Sequence, residues 1–283
     1  MTLETVSFEG HDCVRLEDGD VALVVTISTG PRILGLLVDG VNLFAVLPDA
    51  TLDGPDGERF RFLGGHRVWV APEVPSITYR SDDRACAVAE VEDGVIVEAP
   101  PDGSQLARSI AVRRDPPGWI VDHVVRNESK RSMSIAPWAI TQFRTGGEAV
   151  LPIAPREEGP QADRSLVLWP YTDLADLRIG FGRDEVRIDA SRSGRPLKLG
   201  AAPSDGRVGY ELGTHHGTQH FEKRIDVDPD ATYADRGAAV QVFVCDEFCE
   251  LETLGPLGAV PPGESISHRE HWLVAPVGRA ATP

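Results

Sequence analysis

The chain has 283 residues, of which 41% are hydrophobic and 25% are charged. This composition is enough to bury a substantial core without disulfides or metals. The 28 Lys and Arg residues are outnumbered by 44 Asp and Glu residues, which gives a formal net charge of −16. A chain this acidic repels phosphate backbones and anionic bilayer surfaces, so nucleic acids and membranes are not expected partners.

The chain is expected to be a cytoplasmic protein that folds as a single domain over residues 1–283, since large β-sandwiches often reach this length. Residues Met1–Glu4 contain no basic segment leading into an apolar run, and no apolar stretch reaches the roughly 18 residues of a membrane span. Four cysteines without a regular spacing are interpreted as reduced thiols: Cys13, Cys86, Cys245 and Cys249.

Short apolar runs rich in Val and Ile recur along the chain and are bounded by Gly, Pro, Asp or Asn. This pattern favours strands over helices. The runs are Val21–Ile27, Ile33–Val38, Val68–Ala71, Val95–Val97, Val121–Val125 and Val240–Val244.

Two hairpins are predicted in the middle of this series. Ala85–Val91 meets Val95–Glu98 across an Asp-Gly turn, which is a strong hairpin signal. Leu106–Arg113 alternates apolar and polar residues and turns through Pro-Pro-Gly into Trp119–Val125. The best helical candidate is the short segment Asp173–Arg178, so we predict an all-β fold with little helix.

Four blocks together resemble the galactose mutarotase-like (aldose 1-epimerase) superfamily, and most closely an uncharacterised bacterial branch of it. The resemblance implies a β-supersandwich. The blocks are Thr29–Leu34 with Asn42–Phe44, Gly64–Glu73, Val125–Ser129 with Ala136–Thr141, and Glu250–Leu257 with Pro262–Glu264 and Glu270–Trp272.

The resemblance also implies a mechanism without a metal or organic cofactor. In the family a glutamate takes the proton of the anomeric hydroxyl and a histidine donates one to the ring oxygen, so the sugar ring opens and recloses on its other face. Glu252 matches the position of the catalytic glutamate, whereas Trp138 falls where the family places the acidic histidine. An indole supplies no proton for this step, but it can stack on the apolar face of a sugar.

The candidate catalytic residues are therefore Glu252 and His66. Alternation in a strand places Arg67 and Trp69 on one face and His66 on the other. A guanidinium beside an aromatic ring suits a polyhydroxylated or anionic ligand. Alternatively, Arg67 and Trp69 form a cation–π pair on the sheet surface, and Glu252 is a solvated surface carboxylate.

Further candidate substrate-binding residues are Glu73, Trp138, His215 and Lys223. His215 lies in a histidine-rich segment at 214–220. The segment suggests either a metal site or a solvated loop, and the loop is favoured because no carboxylate or cysteine spacing completes a metal pattern. Lys223 is alternatively a surface lysine.

The leading functional hypothesis is an aldose-1-epimerase-like isomerase that acts on a monosaccharide or sugar-like ring by general acid/base proton transfer. One alternative is a non-catalytic sugar-binding or regulatory module on the same fold. Another is a fold recruited for a different proton-transfer isomerisation in specialised metabolism. A histidine that reaches the pocket opposite Glu252 would favour the isomerase over the binding module.

Overall fold

The computed structural model describes residues 3–153, 160–202 and 205–277, and the regular secondary structure of these residues is almost all β-strand. The strands are β1 (Glu4–Phe8), β2 (His11–Asp18), β3 (Val21–Thr26), β4 (Ile33–Val38), β5 (Val41–Asn42), β6 (Val46–Asp53), β7 (Arg59–Ala71), β8 (Ala87–Val91), β9 (Gly94–Ala99), β10 (Leu106–Asp115), β11 (Gly118–Asn127), β12 (Met133–Arg144), β13 (Gly147–Pro152), β14 (Leu166–Leu168), β15 (Ile179–Phe181), β16 (Glu185–Asp189), β17 (Leu197–Ala201), β18 (Arg207–Thr214), β19 (Gly217–Arg224), β20 (Val240–Val244), β21 (Phe248–Leu254), β22 (Gly258–Val260) and β23 (Ser265–Pro276).

Helix in the described residues is limited to α1 (Pro75–Thr78), α2 (Ala234–Gly237) and a 3₁₀ turn at Pro55–Gly57. None of these has the length and apolar content to cross a bilayer. The prediction of an all-β fold with little helix is confirmed.

The strands form two antiparallel sheets. The first runs in the order β1-β2-β3-β4-β7-β12-β21-β20-β17-β14, with β5, β6 and β22 attached at its sides. The second runs β15-β16-β13-β18-β19-β23-β11-β10-β9-β8. Sequence-adjacent strands pair along much of both sheets, and β7, β12 and β21 meet in the middle of the first through long-range pairing.

Both predicted hairpins are present. Strand β8 pairs with β9, with Val91 opposite Gly94 at the turn. Strand β10 pairs with β11, with Asp115 opposite Gly118. Burial alternates along β11 because one face of the strand packs into the core and the other face is partly exposed to solvent.

The segment Asp173–Arg178 forms turns, so the prediction of a helix there is wrong. The side chain of Asp173 accepts a hydrogen bond from the backbone N–H of Ala175, and Asp176 accepts one from that of Arg178. Aspartates that bond to the backbone two residues on stabilise turns in competition with helix.

Strands β7, β12 and β21 are buried on both faces. Their inner faces pack against the second sheet in the apolar core, where Phe44, Phe143, Phe221 and Trp272 contact one another through ring edges. Their outer faces are covered by loops and by aromatic side chains. Polar residues on these strands therefore lie in enclosed surroundings on either side of the sheet.

A polar cluster lies between the two sheets among the apolar core residues. It consists of His66, His123, Lys223, His268 and Glu270, and we call it the buried histidine cluster. Each of these side chains is at most 7% exposed. Buried polar groups of this kind persist only when their hydrogen bonds are satisfied.

The hydrogen bonds of the cluster run in one direction. The Nδ1–H of His123 donates to the carbonyl oxygen of His268 at 3.1 Å, because a carbonyl only accepts. A neutral His123 therefore accepts at Nε2 from the Nε2–H of His66, at 2.7 Å. The Nδ1 of His66 then accepts from the hydroxyl of Thr141 at 2.8 Å, and this hydroxyl oxygen accepts from Lys223 at 3.2 Å.

Glu270 is saturated by donors in the same cluster. Its carboxylate lies 2.8 Å from the Nζ of Lys223, and it accepts from the indole of Trp272 at 2.8 Å and from the hydroxyl of Thr253. The Thr253 oxygen in turn accepts from the Nε2–H of His268 at 2.7 Å. All of these bonds are consistent with three neutral imidazoles around one buried ion pair.

His66, His123 and Glu270 bring three potential metal-ligand atoms within 4.8 Å of one another. The two imidazole nitrogens are already bonded to each other, and the carboxylate is paired with the ammonium of Lys223. The positive charge of the adjacent Lys223 ammonium disfavours the binding of a divalent metal ion. The donor set fits a hydrogen-bonded network better than a metal site.

Burial sets the protonation of the cluster. It lowers the pKa of His66 well below its ordinary value, lowers the pKa of His123, and lowers that of His268 to about 3. Burial alone would raise the pKa of Glu270, but the charge of Lys223 and the neighbouring imidazoles together lower it by more, so this pKa stays below its ordinary value.

The free energy of unfolding is therefore expected to fall as the pH drops below about 6.5, the ordinary pKa of an imidazole. Each of the three histidines binds a proton in the unfolded chain that it does not bind in the native one. Together they add a slope that approaches about 4 kcal/mol per pH unit. Urea unfolding measured across roughly pH 5 to 7 tests this.

The matched variants are His268→Gln, in the cluster, and His216→Gln, at an exposed hairpin tip. Loss of one buried imidazole should reduce the slope by about 1.4 kcal/mol per pH unit. The His216 variant should keep the full slope. Equal slopes in the two variants would contradict the account of neutral buried histidines.

Candidate functional site

The candidate site lies on the outer face of the first sheet, where β7, β12, β21, β20 and β17 are neighbours. Residues directly opposite each other in an antiparallel pair share a face. Arg67 lies opposite Ile140, Ile140 opposite Glu252, and Glu252 opposite Gln241. The polar side chains of Arg67, Glu252 and Gln241, from β7, β21 and β20, thus form one row across the sheet.

A groove of about 220 Å³ opens above this face. Trp69 and Trp138 are paired in register, and their rings meet edge to face with centroids 5.5 Å apart. Most of the wall is aromatic, with a few polar groups. The lining residues are Phe62, Trp69, Glu73, Tyr79, Trp138, Ile140, Trp169, Tyr171, Lys198, Phe243, Phe248 and Glu250.

Glu252 lies in the floor beneath the groove and is fully buried. Its Oε2 accepts a hydrogen bond from the indole Nε1 of Trp138 and one from the Nζ of Lys198, each at 2.7 Å. The same ammonium lies 4.8 Å from the ring centroid of Trp138 and 4.6 Å from that of Trp169. The lysine is therefore held by one carboxylate and two indole rings.

Glu250 shares the outer face with Glu252, and unlike Glu252 it lines the groove. One carboxylate oxygen accepts from the amide of Gln142 at 2.9 Å, and a terminal nitrogen of Arg67 lies 3.8 Å from it. Burial, reinforced by the charge of Glu252, raises the pKa of Glu250 to about 7. Glu250 is thus able to exchange protons near neutral pH.

Arg67 is 1% exposed and lies beneath Trp69, with its guanidinium carbon 4.2 Å from the ring centroid. It donates to the side-chain oxygen of Gln142 at 3.1 Å. Burial and the nearby Arg32 lower its pKa to about 10, so it stays charged at neutral pH. Its Nε and one terminal nitrogen have no hydrogen-bond partner among the described residues.

On this face of the sheet, two buried acceptors also lack a partner among the described residues: the Oε1 of Glu252 and the Oε1 of Gln241. The amide nitrogen of Gln241 donates to Asp235 at 2.8 Å and to the carbonyl of Ala238 at 3.2 Å, which fixes the orientation of the amide. Neighbouring buried acceptors of this kind call for a donor from an ordered water or a ligand.

Glu73 lies at the exposed rim of the groove and accepts a hydrogen bond from the hydroxyl of Tyr79. The Tyr79 ring packs edge to face on Trp69, with centroids 5.5 Å apart. This arrangement holds the Glu73 carboxylate beside the aromatic wall.

The structure brings together five of the predicted site residues: Arg67, Trp69, Glu73, Trp138 and Glu252. Trp69, Glu73 and Trp138 line the groove, while Arg67 and Glu252 lie under its floor.

The other three predicted site residues lie elsewhere. His66 and Lys223 belong to the buried histidine cluster on the opposite side of the first sheet, so the expectation that they share a site with Glu252 needs correction. Alternation along β7 turns His66 inward while Arg67 faces outward. His215 is exposed at the tip between β18 and β19, where its ring contacts that of His216 at a tilt, with centroids 4.0 Å apart.

None of the eight histidines, all of which fall in the described ranges, lines the groove. Sequence reasoning missed Lys198, Gln142, Trp169 and Tyr171, and it gave Glu250 no role. Lys198 carried a usable signal, since a lysine between two leucines in an apolar strand faces either solvent or a buried acid.

No family model and no curated protein matches the chain. Among solved structures, a galactose mutarotase-like protein from Lactobacillus casei ATCC 334 aligns with a TM-score of 0.58 and 12% identity over 93% of this chain and 100% of that one. A protein from Escherichia coli K12, provisionally named as an aldose 1-epimerase, aligns with a TM-score of 0.55 and 14% identity over 94% and 99%.

A galactose mutarotase related enzyme from Lactobacillus acidophilus aligns with a TM-score of 0.50 and 9% identity over 93% of this chain and 97% of that one. These similarities show that the chain has the galactose mutarotase-like fold, as the sequence blocks predicted.

Replacement of the buried lysine tests the pairing under the groove. In Lys198→Met the Glu252 carboxylate keeps one donor and loses its counter-charge, so the free energy of unfolding should fall by about 3–5 kcal/mol. Urea unfolding measures this loss. Adding Glu252→Gln to the Lys198 variant should recover part of it, because the amide is neutral.

Lys130→Met is the matched control, because Lys130 is exposed, and it should change stability by less than about 0.5 kcal/mol. A Lys198 variant as stable as this control would contradict the ion pair.

Proposed function

We propose that the groove binds a monosaccharide or sugar-like ring and that the protein is an aldose-1-epimerase-like isomerase that moves protons to and from that ring. The observation that carries this proposal is Glu250, a groove-lining carboxylate whose pKa is raised by burial to about 7. Aromatic walls supply stacking surfaces for the C–H faces of a sugar. The fold shared with mutarotase-like proteins supports the same reading.

In this proposal Glu250 is the general base. It takes the proton of the anomeric hydroxyl while the bond between the anomeric carbon and the ring oxygen breaks. Lys198, which lines the groove, donates a proton to the ring oxygen in place of a histidine. When the ring recloses on its other face, Glu250 returns its proton to the anomeric oxygen and Lys198 regains its proton from the ring oxygen. The reaction therefore consumes no protons.

Sequence analysis assigned the base to Glu252. Its carboxylate is fully buried and already engaged by Trp138 and Lys198, whereas Glu250 reaches the groove. We therefore give Glu252 a positioning role, in which it orients Lys198.

A second candidate function is a non-catalytic sugar-binding module. It is favoured by one observation, that no histidine lines the groove. Both candidate functions predict that the groove binds a sugar. Only the isomerase predicts that the protein accelerates the interconversion of the anomers.

Glu250→Gln should lower the rate of anomer exchange by about two to four orders of magnitude while sugar binding stays within a few-fold of wild type. NMR exchange between the anomers of D-glucose and D-galactose measures the rate. In the wild type, the rate should rise with pH through about 7, because the base must be ionised, and the Gln variant should lose this dependence.

Glu247→Gln, at an exposed acid just before β21, is the control and should behave as wild type. If a folded Glu252→Gln variant were inactive and Glu250→Gln fully active, the base would be Glu252. A wild-type protein that binds sugars without accelerating exchange would establish the second candidate.

A further inference from the structure

The groove has an excess of carboxylates, and the two cations beside it are buried. Lys198 is paired with Glu252 at 2.7 Å, and Arg67 lies beneath Trp69 at 1% exposure. The acids that face the groove are Glu73 and Glu250. When all five groups are ionised, three negative charges stand against two positive ones.

Each groove-facing carboxylate keeps one oxygen for a ligand. Tyr79 donates to the Oε1 of Glu73, and Gln142 donates to the Oε1 of Glu250. Among the described residues, no hydrogen bond reaches the Oε2 of either acid. Two acceptor oxygens beside an aromatic wall suit a donor with several N–H groups and a positive charge.

The walls themselves favour a cation. Eight of the eighteen aromatic residues of the chain line the groove. The negative face of an aromatic ring attracts an ammonium group, most strongly when the ring is that of tryptophan. These eight are Phe62, Trp69, Tyr79, Trp138, Trp169, Tyr171, Phe243 and Phe248.

The protein already holds one alkylammonium in this way. The Nζ of Lys198 lies between the rings of Trp138 and Trp169, with the Glu252 carboxylate at 2.7 Å. Two aromatic rings and one carboxylate therefore hold the ammonium group of a lysine that is 5% exposed. Tyr79, Trp69, Glu73 and Glu250 offer the same groups to a ligand.

We propose that the groove selects a ring that carries a protonated amine, such as an amino sugar, over the corresponding neutral ring and over a phosphorylated one. The proposal rests on the proposed function and names its substrate class. The amine lies between the free oxygens of Glu73 and Glu250, against the aromatic wall. A phosphate in that position is repelled by both carboxylates and finds no unpaired cation at the groove surface.

The test compares matched pairs of ligands at neutral pH by isothermal titration calorimetry and tryptophan fluorescence. The pairs are glucosamine with glucose, galactosamine with galactose, and mannosamine with mannose, and glucose 6-phosphate represents the anionic class. Cyclohexylammonium with cyclohexanol is a pair that contains no sugar. The amine should bind about tenfold tighter than its partner in at least one pair.

Two variants assign the preference to the acids. Glu250→Gln and Glu73→Gln should each reduce the preference to less than about threefold, whereas Glu247→Gln, an exposed acid outside the groove, should preserve it. Equal or tighter binding of the neutral partner in every pair, or strongest binding of glucose 6-phosphate, would overturn the proposal.

The outcomes separate this proposal from the proposed function. If neutral sugars bind and their anomers interconvert, but no amine is preferred, the isomerase proposal stands and the amine selectivity is wrong. If cyclohexylammonium binds and no sugar does, the cation site stands and the carbohydrate function is wrong. Failure of all ligands to bind overturns both.

Discussion

Two buried lysine–glutamate pairs, one on each side of the same sheet, define the centre of this molecule. Lys198 meets Glu252 on the outer face, and Lys223 meets Glu270 on the inner face. Each ion in such a pair loses its hydration, so removal of either partner leaves an uncompensated charge in a poorly solvated interior. Only three lysines occur in the chain, and two of them are used in this way.

The inner pair and the outer pair meet through strand β21. Glu252 points into the floor of the groove, and the next residue, Thr253, donates its hydroxyl proton to Glu270 behind the sheet. In β12 the same alternation places Trp138 outward and Thr141 inward. Hydrogen bonds on both faces thus fix the positions of the strands that carry the site, which keeps the groove residues in register.

Much of the fold follows from local patterns. Runs of Val and Ile, the Asp-Gly turn before β9 and the Pro-Pro-Gly turn before β11 predict strands and hairpins because these signals depend on neighbouring residues alone. The face shared by Arg67 and Trp69 follows from alternation. The proximity of these two residues to Trp138 and Glu252 does not follow from alternation, because it depends on the long-range pairing of β7, β12 and β21. Only the family resemblance predicted it.

Several of the residues that sequence reasoning missed or misplaced, namely Lys198, Gln142, Lys223 and His66, share one physical property. A lysine, histidine or glutamine in an alternating strand is compatible with a solvated face and with a buried network, and the partner that decides between them comes from a distant strand. Lys198 depends on Glu252, and Lys223 and His66 depend on Glu270 and His123. Alternation did place His66 opposite to Arg67, which already argued against a common site.

The central claim is that the aromatic groove above Glu252 is where the ligand binds and that Glu250 contacts it. The most direct test is a crystal structure of the protein soaked with a monosaccharide or an amino sugar that binds in solution. The account predicts a ring stacked on Trp69 or Trp138, with a polar atom within about 3.2 Å of the Glu250 carboxylate. A ligand bound at another surface, with no contact to Glu250 and with the groove occupied only by water, would contradict it.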